Sequence, residues 1–463
     1  MTAGQRSLIF DTIVKQTPRP TPQQLAWQRL ETIAFAHFTI NTFTDQEWGD
    51  GTEDPKMFNP GAFDARQWAK ACREAGLKLI ILTAKHHDGF CLWPSQYTDH
   101  SVKRSPWRGG KGDVVKEVSD ACREFGLKFG VYLSPWDRHE PSYGTPAYNQ
   151  HYLNQLRELL TNYGEITEVW LDGAKGEGEK AMVYDFNAYW QLVRELQPKA
   201  VLFSDAGPDV RWIGNERGFA GETCWSTVER SAIVIGGSQN AYLNAGDPAG
   251  GDWVPGECDV SIRPGWFYHA KEDGQVKSLR QLLDVYYHSV GRNGVMLLNI
   301  PPDRRGLFHP TDVARLKELR TVLDETFRTN LVKGAQAKAN QESKPFNAAN
   351  VLDGNPDTHW LLPEGQTSGA LDITLPRPAP FDRVLLQEAI GLGQRIKSFT
   401  VDAWEGQAWK TIARGTTIGH KRLLRIPPVT AARVRVSVTD SYGSPAIAEV
   451  GLFRASAREA AAK

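Results

Sequence analysis

Thr167-Glu168-Val169-Trp170-Leu171-Asp172-Gly173 is a short apolar run in which β-branched and aromatic residues give way to an acid and a glycine. Such a run reads as a buried strand that Gly173 ends, so Asp172 falls where strand becomes loop. An Asp before a Gly is usually a turn residue or a helix cap. Two other runs change that expectation. Ile80-Ile81-Leu82-Thr83-Ala84 enters Lys85-His86-His87-Asp88, and Phe129-Gly130-Val131-Tyr132-Leu133 enters Ser134-Pro135-Trp136-Asp137. If these strands are parallel, their reactive ends share one face, which is where parallel α/β folds carry active sites.

An internal repeat supports parallel strands. Ala71-Cys72-Arg73-Glu74-Ala75-Gly76-Leu77-Lys78-Leu79 recurs as Ala121-Cys122-Arg123-Glu124-Phe125-Gly126-Leu127-Lys128-Phe129. Each copy is the end of an amphipathic helix, a glycine that stops it and the start of an apolar strand. The alternation extends on both sides. The pattern predicts a short helix near Gln23–Leu30 and a strand at Ile33–Phe38 before the repeat. After it come helices at Tyr152–Thr161 and Asn187–Leu196, and strands at Ala200–Ser204 and Arg211–Ile213. Residues 217–265, rich in Gly, Pro and Trp, read as long loops over the active face. Helix Leu279–Val290, strand Val295–Ile300 and helix Thr311–Phe327 close the pattern. About eight β/α units result, so residues 1–330 are expected to form a catalytic (β/α)8-like TIM barrel within an α/β fold.

Near Thr329–Gln341 the helix periodicity ends. Short strands at Arg383–Gln387, Ser398–Trp404, Arg422–Ile426 and Arg433–Val438, separated by Pro- and Gly-containing turns, predict a β-sandwich over 331–455. Residues 456–463 read as a frayed helical tail.

Lys+Arg and Asp+Glu are both 54 in 463 residues, which removes any global charge preference for nucleic acid or an anionic membrane. No apolar run is long enough to insert in a membrane, and the N-terminus lacks the regions of a signal peptide. The expectation is a soluble protein, periplasmic or secreted if a signal has been removed and otherwise cytoplasmic. Five cysteines without a CxxC pair suggest neither a zinc site nor a disulfide framework. The 15 Trp exceed what a core requires and suit a cleft that binds the apolar faces of sugars.

Adjacent His86 and His87 invite a metal reading, but neighbours on extended backbone point in opposite directions, and no HExxH spacing occurs. Hydrogen bonding to a polyhydroxylated ligand suits them better, with His37 and Tyr132 joining from other strand ends. No GxSxG, P-loop or GxGxxG motif is present, which disfavours α/β-hydrolase, NTPase and dinucleotide readings. Strand-end Asp, His and Tyr with spare Trp suit glycoside hydrolysis, which needs two carboxyl groups across the scissile bond. Asp172 is the first, and Glu216, Glu222 and Glu257 are candidates for the second.

Ala36-His37-Phe38, Glu47-Trp48, Thr83 through Phe90, Trp170-Leu171-Asp172-Gly173 and the run from Ser289 to Pro302 resemble the α-L-fucosidases of glycoside hydrolase family 29. The resemblance implies a retaining exo-hydrolase in which Asp172 matches the nucleophile and His37, Glu47, Trp48, His86, His87 and Tyr132 match positions that hold fucose. Trp170, Arg263 and Trp266 complete the expected substrate-contacting set. The Gly-Asn-Glu context, with Pro-Gly-Trp-Phe-Tyr-His at 264–269, resembles the branch that prefers α-1,3/1,4-linked fucose on branched, Lewis-type glycans, where the acid/base aligns with Glu216. Fucosylated oligosaccharides or glycoconjugates are the implied partners, with no cofactor for catalysis. A branch sugar would bury its apolar faces against Trp225, Trp253 or Trp266. Another retaining glycosidase, such as an α-galactosidase, and a non-catalytic glycan-binding barrel are the alternatives. The stretch from Asn350 to Trp360, with Ala448-Glu449-Val450, resembles a discoidin-like sandwich of the carbohydrate-binding-module-family-32 kind. That resemblance implies a structural Ca²⁺ held by Asp353, Asn355, Thr358 and Glu449.

Overall fold

The computed structural model describes residues 17–462; the N-terminal segment read above for a signal peptide lies outside them. Strands β1 (Thr32–Ala36), β2 (Leu79–Lys85), β3 (Lys128–Leu133), β4 (Glu168–Trp170), β5 (Val201–Phe203), β6 (Arg211–Trp212), β7 (Gly256–Ser261) and β8 (Val295–Asn299) form one parallel sheet. Its order is β5-β4-β3-β2-β1-β8-β7-β6. A parallel bridge from Phe203 to Val210 joins the two edges, so the sheet nearly closes as a barrel.

The repeat builds two consecutive β/α units as its sequence dictates. Helices α1 (Ala65–Glu74) and α2 (Val114–Phe125) start on Asp64 and Asp113, whose carboxylates accept backbone N–H bonds of the first turn. Gly76 and Gly126 follow the helix ends at φ 79° and 68°, a conformation that costs glycine nothing and lets the chain turn into β2 and β3. Inside the barrel lies an apolar layer that includes Ile33, Leu79, Ile81, Val201 and Leu297.

Strand β7 was not anticipated; residues 217–265 were expected to be loops throughout. Its sequence, Gly-Glu-Cys-Asp-Val-Ser, is fully buried. Glu257 and Asp259 alternate with Cys258 and Val260, which pack in apolar clusters. The acids therefore face the barrel interior, where a propensity reading expects none.

The C-terminal domain is antiparallel. Strands β9 (Gln336–Ala339), β10 (Trp360–Leu361), β11 (Gly369–Glu388), β12 (Ile396–Trp404), β13 (Trp409–Gly415), β14 (Arg422–Ser441) and β15 (Ala446–Phe453) pair in the order β10-β15-β11-β14-β12-β13, with β9 on β11. They enclose a core around Trp360, Phe381, Phe399 and Val434. The predicted Arg422–Ile426 and Arg433–Val438 strands are two parts of the 20-residue β14.

The tail is not frayed. Ser456 caps a helix at Ala457–Ala461, and Glu459 is buried against both domains. Its Oε1 accepts from the Arg383 guanidinium of β11 at 2.6 Å and from Tyr287 at 3.0 Å, and its Oε2 accepts from Thr326 at 2.7 Å.

Candidate active site

At the C-terminal ends of the barrel strands lies a cavity of about 530 Å³ with an aromatic floor of Phe35, Trp170 and Phe203. Trp170 stacks on Phe203 with centroids 4.2 Å apart and planes 6° from parallel. Carboxyl groups of Glu47, Asp172, Asp205, Glu216 and Asp259 line the wall, and Lys175 is the only Lys or Arg among the described lining residues.

Asp172 lies two residues beyond β4. Its Oδ1 accepts from the Ala174 N–H at 2.7 Å, and its Oδ2 accepts from the Tyr132 hydroxyl at 2.8 Å. Burial pushes its pKa up to about 6 against these two donors, and the charges of Asp205 and Glu216 act in the same direction. Tyr132 follows from topology, since it lies near the end of β3 opposite Trp170 of β4, and the Ala174 N–H from the turn that Asp172 itself opens.

Three neutral imidazoles form one wall. Asn299 donates its amide hydrogens to Ser261 and to the Trp266 carbonyl, so its Oδ1 accepts from His37 Nδ1 at 2.9 Å. Ser134 donates to the Trp136 carbonyl, so it accepts from His87 Nδ1 at 2.7 Å. Both rings therefore keep a bare Nε2. His87 Nε2 lies 3.6 Å from Asp172 Oδ2. Burial lowers the pKa of His37 and of His87 to about 3 and that of His86 well below its usual range. His86 and His87 were expected to diverge. The pairing of β2 with β3 shifts register between Thr83 and Lys85, and both rings line the cavity with centroids 3.9 Å apart. Lys85 anchors that turn from beneath, fully buried and paired with Asp137 at 2.8 Å.

Glu47 builds the opposite wall. Its carboxylate accepts from the backbone N–H groups of Trp266 (2.8 Å) and Phe267 (3.1 Å) and from His269 Nε2 (2.7 Å). His269 also binds Asp45 through Nδ1 at 2.8 Å, and these two carboxylates raise its pKa despite its burial. Trp266, so placed, donates its indole N–H to Glu216 Oε2 at 3.2 Å. Trp48 stands half-exposed at the mouth, edge-on to His87.

Of the three candidates for the second carboxyl, only Glu216 lines this cavity. Glu222 joins the barrel to the sandwich, pairing with Arg292 at 2.9 Å and with Arg422. Glu257 is wholly buried beneath the floor and accepts from Trp170 Nε1 at 2.8 Å. Arg263 is also displaced from its expected role. It is fully buried, with its guanidinium on Asp312 and Asp273 at 2.8 Å each, and is absent from the cavity wall. An unpaired buried guanidinium would be prohibitively costly, and those two acids supply its partners. Trp225 and Trp253 do not reach the cavity either; the first packs on Tyr442 and the second donates to Gln28. The sequence reading missed Asp205 and Asp259. Burial raises the pKa of both, and Asp259 accepts from Trp212 Nε1 at 2.8 Å. Alternation along β7 was the signal that could have exposed Asp259.

In the sandwich, Asp353, Asn355 and Thr358 form a tight turn. Asp353 accepts from the Asn355 N–H at 2.8 Å and from the Thr358 hydroxyl at 2.7 Å. Burial and the facing charge of Asp353 push the Glu449 carboxyl up to about 7, and its Oε1 is buried without a hydrogen-bond partner. Among the described residues no cluster of three or more His, Cys, Asp or Glu side chains could hold a metal. Any ion here would rest on two carboxylates and the neutral oxygens beside them. Hard oxygens beside the unpartnered Glu449 Oε1 fit Ca²⁺.

Residues 22–325 match the family model described as Alpha-L-fucosidase, and residues 336–450 match that of the F5/8 type C domain. The chain is 48% identical over 444 residues to Alpha-L-fucosidase 1 of Arabidopsis thaliana, an alignment that spans 94% of this chain and 87% of that one. Among solved structures, SpGH29 superposes with a TM-score of 0.91 at 43% identity, over 95% of this chain and 99% of that one. A Ruminococcus gnavus GH29 fucosidase in complex with fucose superposes with a TM-score of 0.90 at 36% identity, over 96% of each chain. No helix among the described residues is long and apolar enough to cross a membrane.

Proposed function

The chain belongs to the α-L-fucosidase family of glycoside hydrolases, and from that premise we propose that it is a retaining exo-enzyme with Asp172 as nucleophile and Glu216 as acid/base. The observation that carries this reading is that Asp172 and Glu216 line one cavity, close enough for the charge of Glu216 to act on Asp172. In the first step an Asp172 oxygen attacks the anomeric carbon while Glu216 gives its proton to the departing oxygen. In the second step Glu216 takes a proton from water, whose oxygen displaces Asp172. Tyr132 and the Ala174 N–H orient the attacking carboxylate. The bare Nε2 atoms of His37 and His87 accept from sugar hydroxyls, and Phe35, Trp170 and Phe203 receive the apolar side of the sugar.

Only ionised Asp172 can attack. Its pKa is raised to about 6, so the acid limb of kcat/KM is expected near pH 6, with rate lost as pH falls through that value. A pH profile on the free enzyme checks this, and a limb near an ordinary carboxyl value, about 4, would contradict it.

Substrates with α-1,3- or α-1,4-linked fucose on a branched N-acetylglucosamine are expected to be cleaved faster than α-1,2-linked ones. Trp48 and Trp266, both on the cavity wall, offer aromatic faces to a second branch sugar. Binding energy gained there lowers the barrier at the cleaved bond if it is expressed in the transition state. A plain aryl fucoside lacks those contacts and should be a poor substrate. Equal kcat/KM for 2′-fucosyllactose and a Lewis-type trisaccharide would contradict the preference.

For the sandwich we propose a structural Ca²⁺ on Asp353, Glu449 and the oxygens of Asn355 and Thr358, where it would relieve the repulsion between the two carboxylates. Calcium should raise the melting temperature, chelators should lower it, and Asp353→Ala should abolish the shift. A calorimetric scan with no response to either treatment would contradict the site.

A further inference from the structure

Beneath the cavity floor two carboxyl groups meet inside the barrel. Glu168 of β4 and Glu257 of β7 are each 0% exposed, and their carboxyl groups lie close enough to act on one another. Their outer oxygens have donors: Trp27 Nε1 gives to Glu168 Oε2 at 2.7 Å, and Trp170 Nε1 gives to Glu257 Oε1 at 2.8 Å. Their remaining oxygens, Glu168 Oε1 and Glu257 Oε2, have no donor among protein N–H and O–H groups. A buried acceptor pair left in that state would be strongly destabilising.

We infer that one carboxyl proton bridges Glu168 Oε1 and Glu257 Oε2, and that the bridged pair positions Trp170 in the floor of the active site. With no proton, two anions would be buried together without a cation. A second proton would have no acceptor, because each outer oxygen already faces an indole N–H. One proton completes a chain from Trp27 through Glu168 and Glu257 to Trp170. From there contacts lead on to the nucleophile: the Trp170 and Tyr132 rings lie edge to face at 4.8 Å, and Tyr132 donates to Asp172.

The surroundings favour the proton's retention. Strands β1, β2, β5 and β8 present apolar side chains, Ile33, Ile81, Val201 and Leu297 among them. The charged groups that act on the pair are also acids: Asp209, which pairs with Arg194 at 2.6 Å, and Asp259. Burial pushes the pKa of both carboxyl groups above the usual carboxyl range. A carboxyl raised on folding stabilises the fold below its unfolded value, and that contribution is lost as pH rises through the folded one.

The test compares Glu257→Gln and Glu257→Leu in the full chain. The Gln amide supplies an N–H to Glu168 and an oxygen to Trp170, replacing the bridge without a titrating proton. Expected results are kcat within about threefold of wild type for Gln, a loss of about tenfold or more for Leu, and a smaller fall in melting temperature from neutral to alkaline pH for Gln. Infrared spectroscopy of the wild type at neutral pH should show a protonated carboxylic acid band that disappears in Glu257→Gln. Absence of that band overturns the shared proton even if the Leu variant fails to fold. Equal kcat in the Gln and Leu variants overturns the positioning role. The kinetic arm rests on fucoside hydrolysis and the infrared arm does not, so failure of one reading is distinguishable from failure of the other.

Discussion

Asp172→Asn is expected to lower turnover of a branched fucosyl trisaccharide by on the order of 10⁴-fold, the scale on which hydrolases respond to loss of a nucleophile. The cause is chemical and local. An amide oxygen does not form the glycosyl-enzyme, yet Asn can still accept from the Ala174 N–H through its Oδ1 while its Nδ2 donates to the Tyr132 oxygen, so the side chain stays held where Asp172 was. The melting temperature should not fall, because burial already disfavours the charge that the substitution removes. The geometry of His37, His87 and the aromatic floor is independent of that charge, so KM should change far less than kcat. Fucose release measured beside a melting curve separates the two effects. Unchanged kcat in a folded variant would remove Asp172 from the chemistry.

Glu216→Gln is expected to produce a loss that depends on the leaving group. An oligosaccharide departs as a poor leaving group and needs the proton, so its hydrolysis should fall by about 10²-fold or more. Fucosyl fluoride needs little protonation and should lose much less in the glycosylation step. Azide should then restore turnover by attacking the glycosyl-enzyme without general-base help. The structure sharpens this test, since Glu222 is held by Arg292 and Arg422 and Glu257 lies beneath Trp170, both away from the cavity wall. If Glu222→Gln showed the leaving-group pattern and Glu216→Gln did not, the assignment of the acid/base would be wrong.

Residues at strand ends were the most legible part of the sequence. Asp172, Tyr132 and His86-His87 follow directly on apolar runs, and a parallel barrel brings such ends together whatever the loops do. Glu216 could be found only by resemblance, because it lies on a loop where spacing carries no geometric information. What misled was polar sequence in buried places. Strand β7 resembled loop because its acids turn inward to Trp170 and Trp212. Arg263, beside Pro264 and Gly265, suggested a sugar contact, but its partners Asp273 and Asp312 lie 10 and 49 residues away. Trp225 and Trp253 were read as sugar platforms, whereas long loops folded over a barrel need an apolar core of their own. The terminal helix looked frayed because the Arg383 partner of Glu459 lies 76 residues upstream. Each of these misreadings turned on a long-range partner that local pattern does not contain.

The proposal that Asp172 forms a covalent bond to fucose is open to direct observation. A 2-deoxy-2-fluoro-fucosyl fluoride slows both steps, the second more than the first, and so should accumulate the glycosyl-enzyme. Mass spectrometry of the digested protein is predicted to find the fluorofucosyl mass on the peptide containing Trp170-Leu171-Asp172-Gly173, with Asp172 as the modified residue. A label on any other carboxylate, or no label while fucose is released with inverted configuration, would contradict the mechanism proposed.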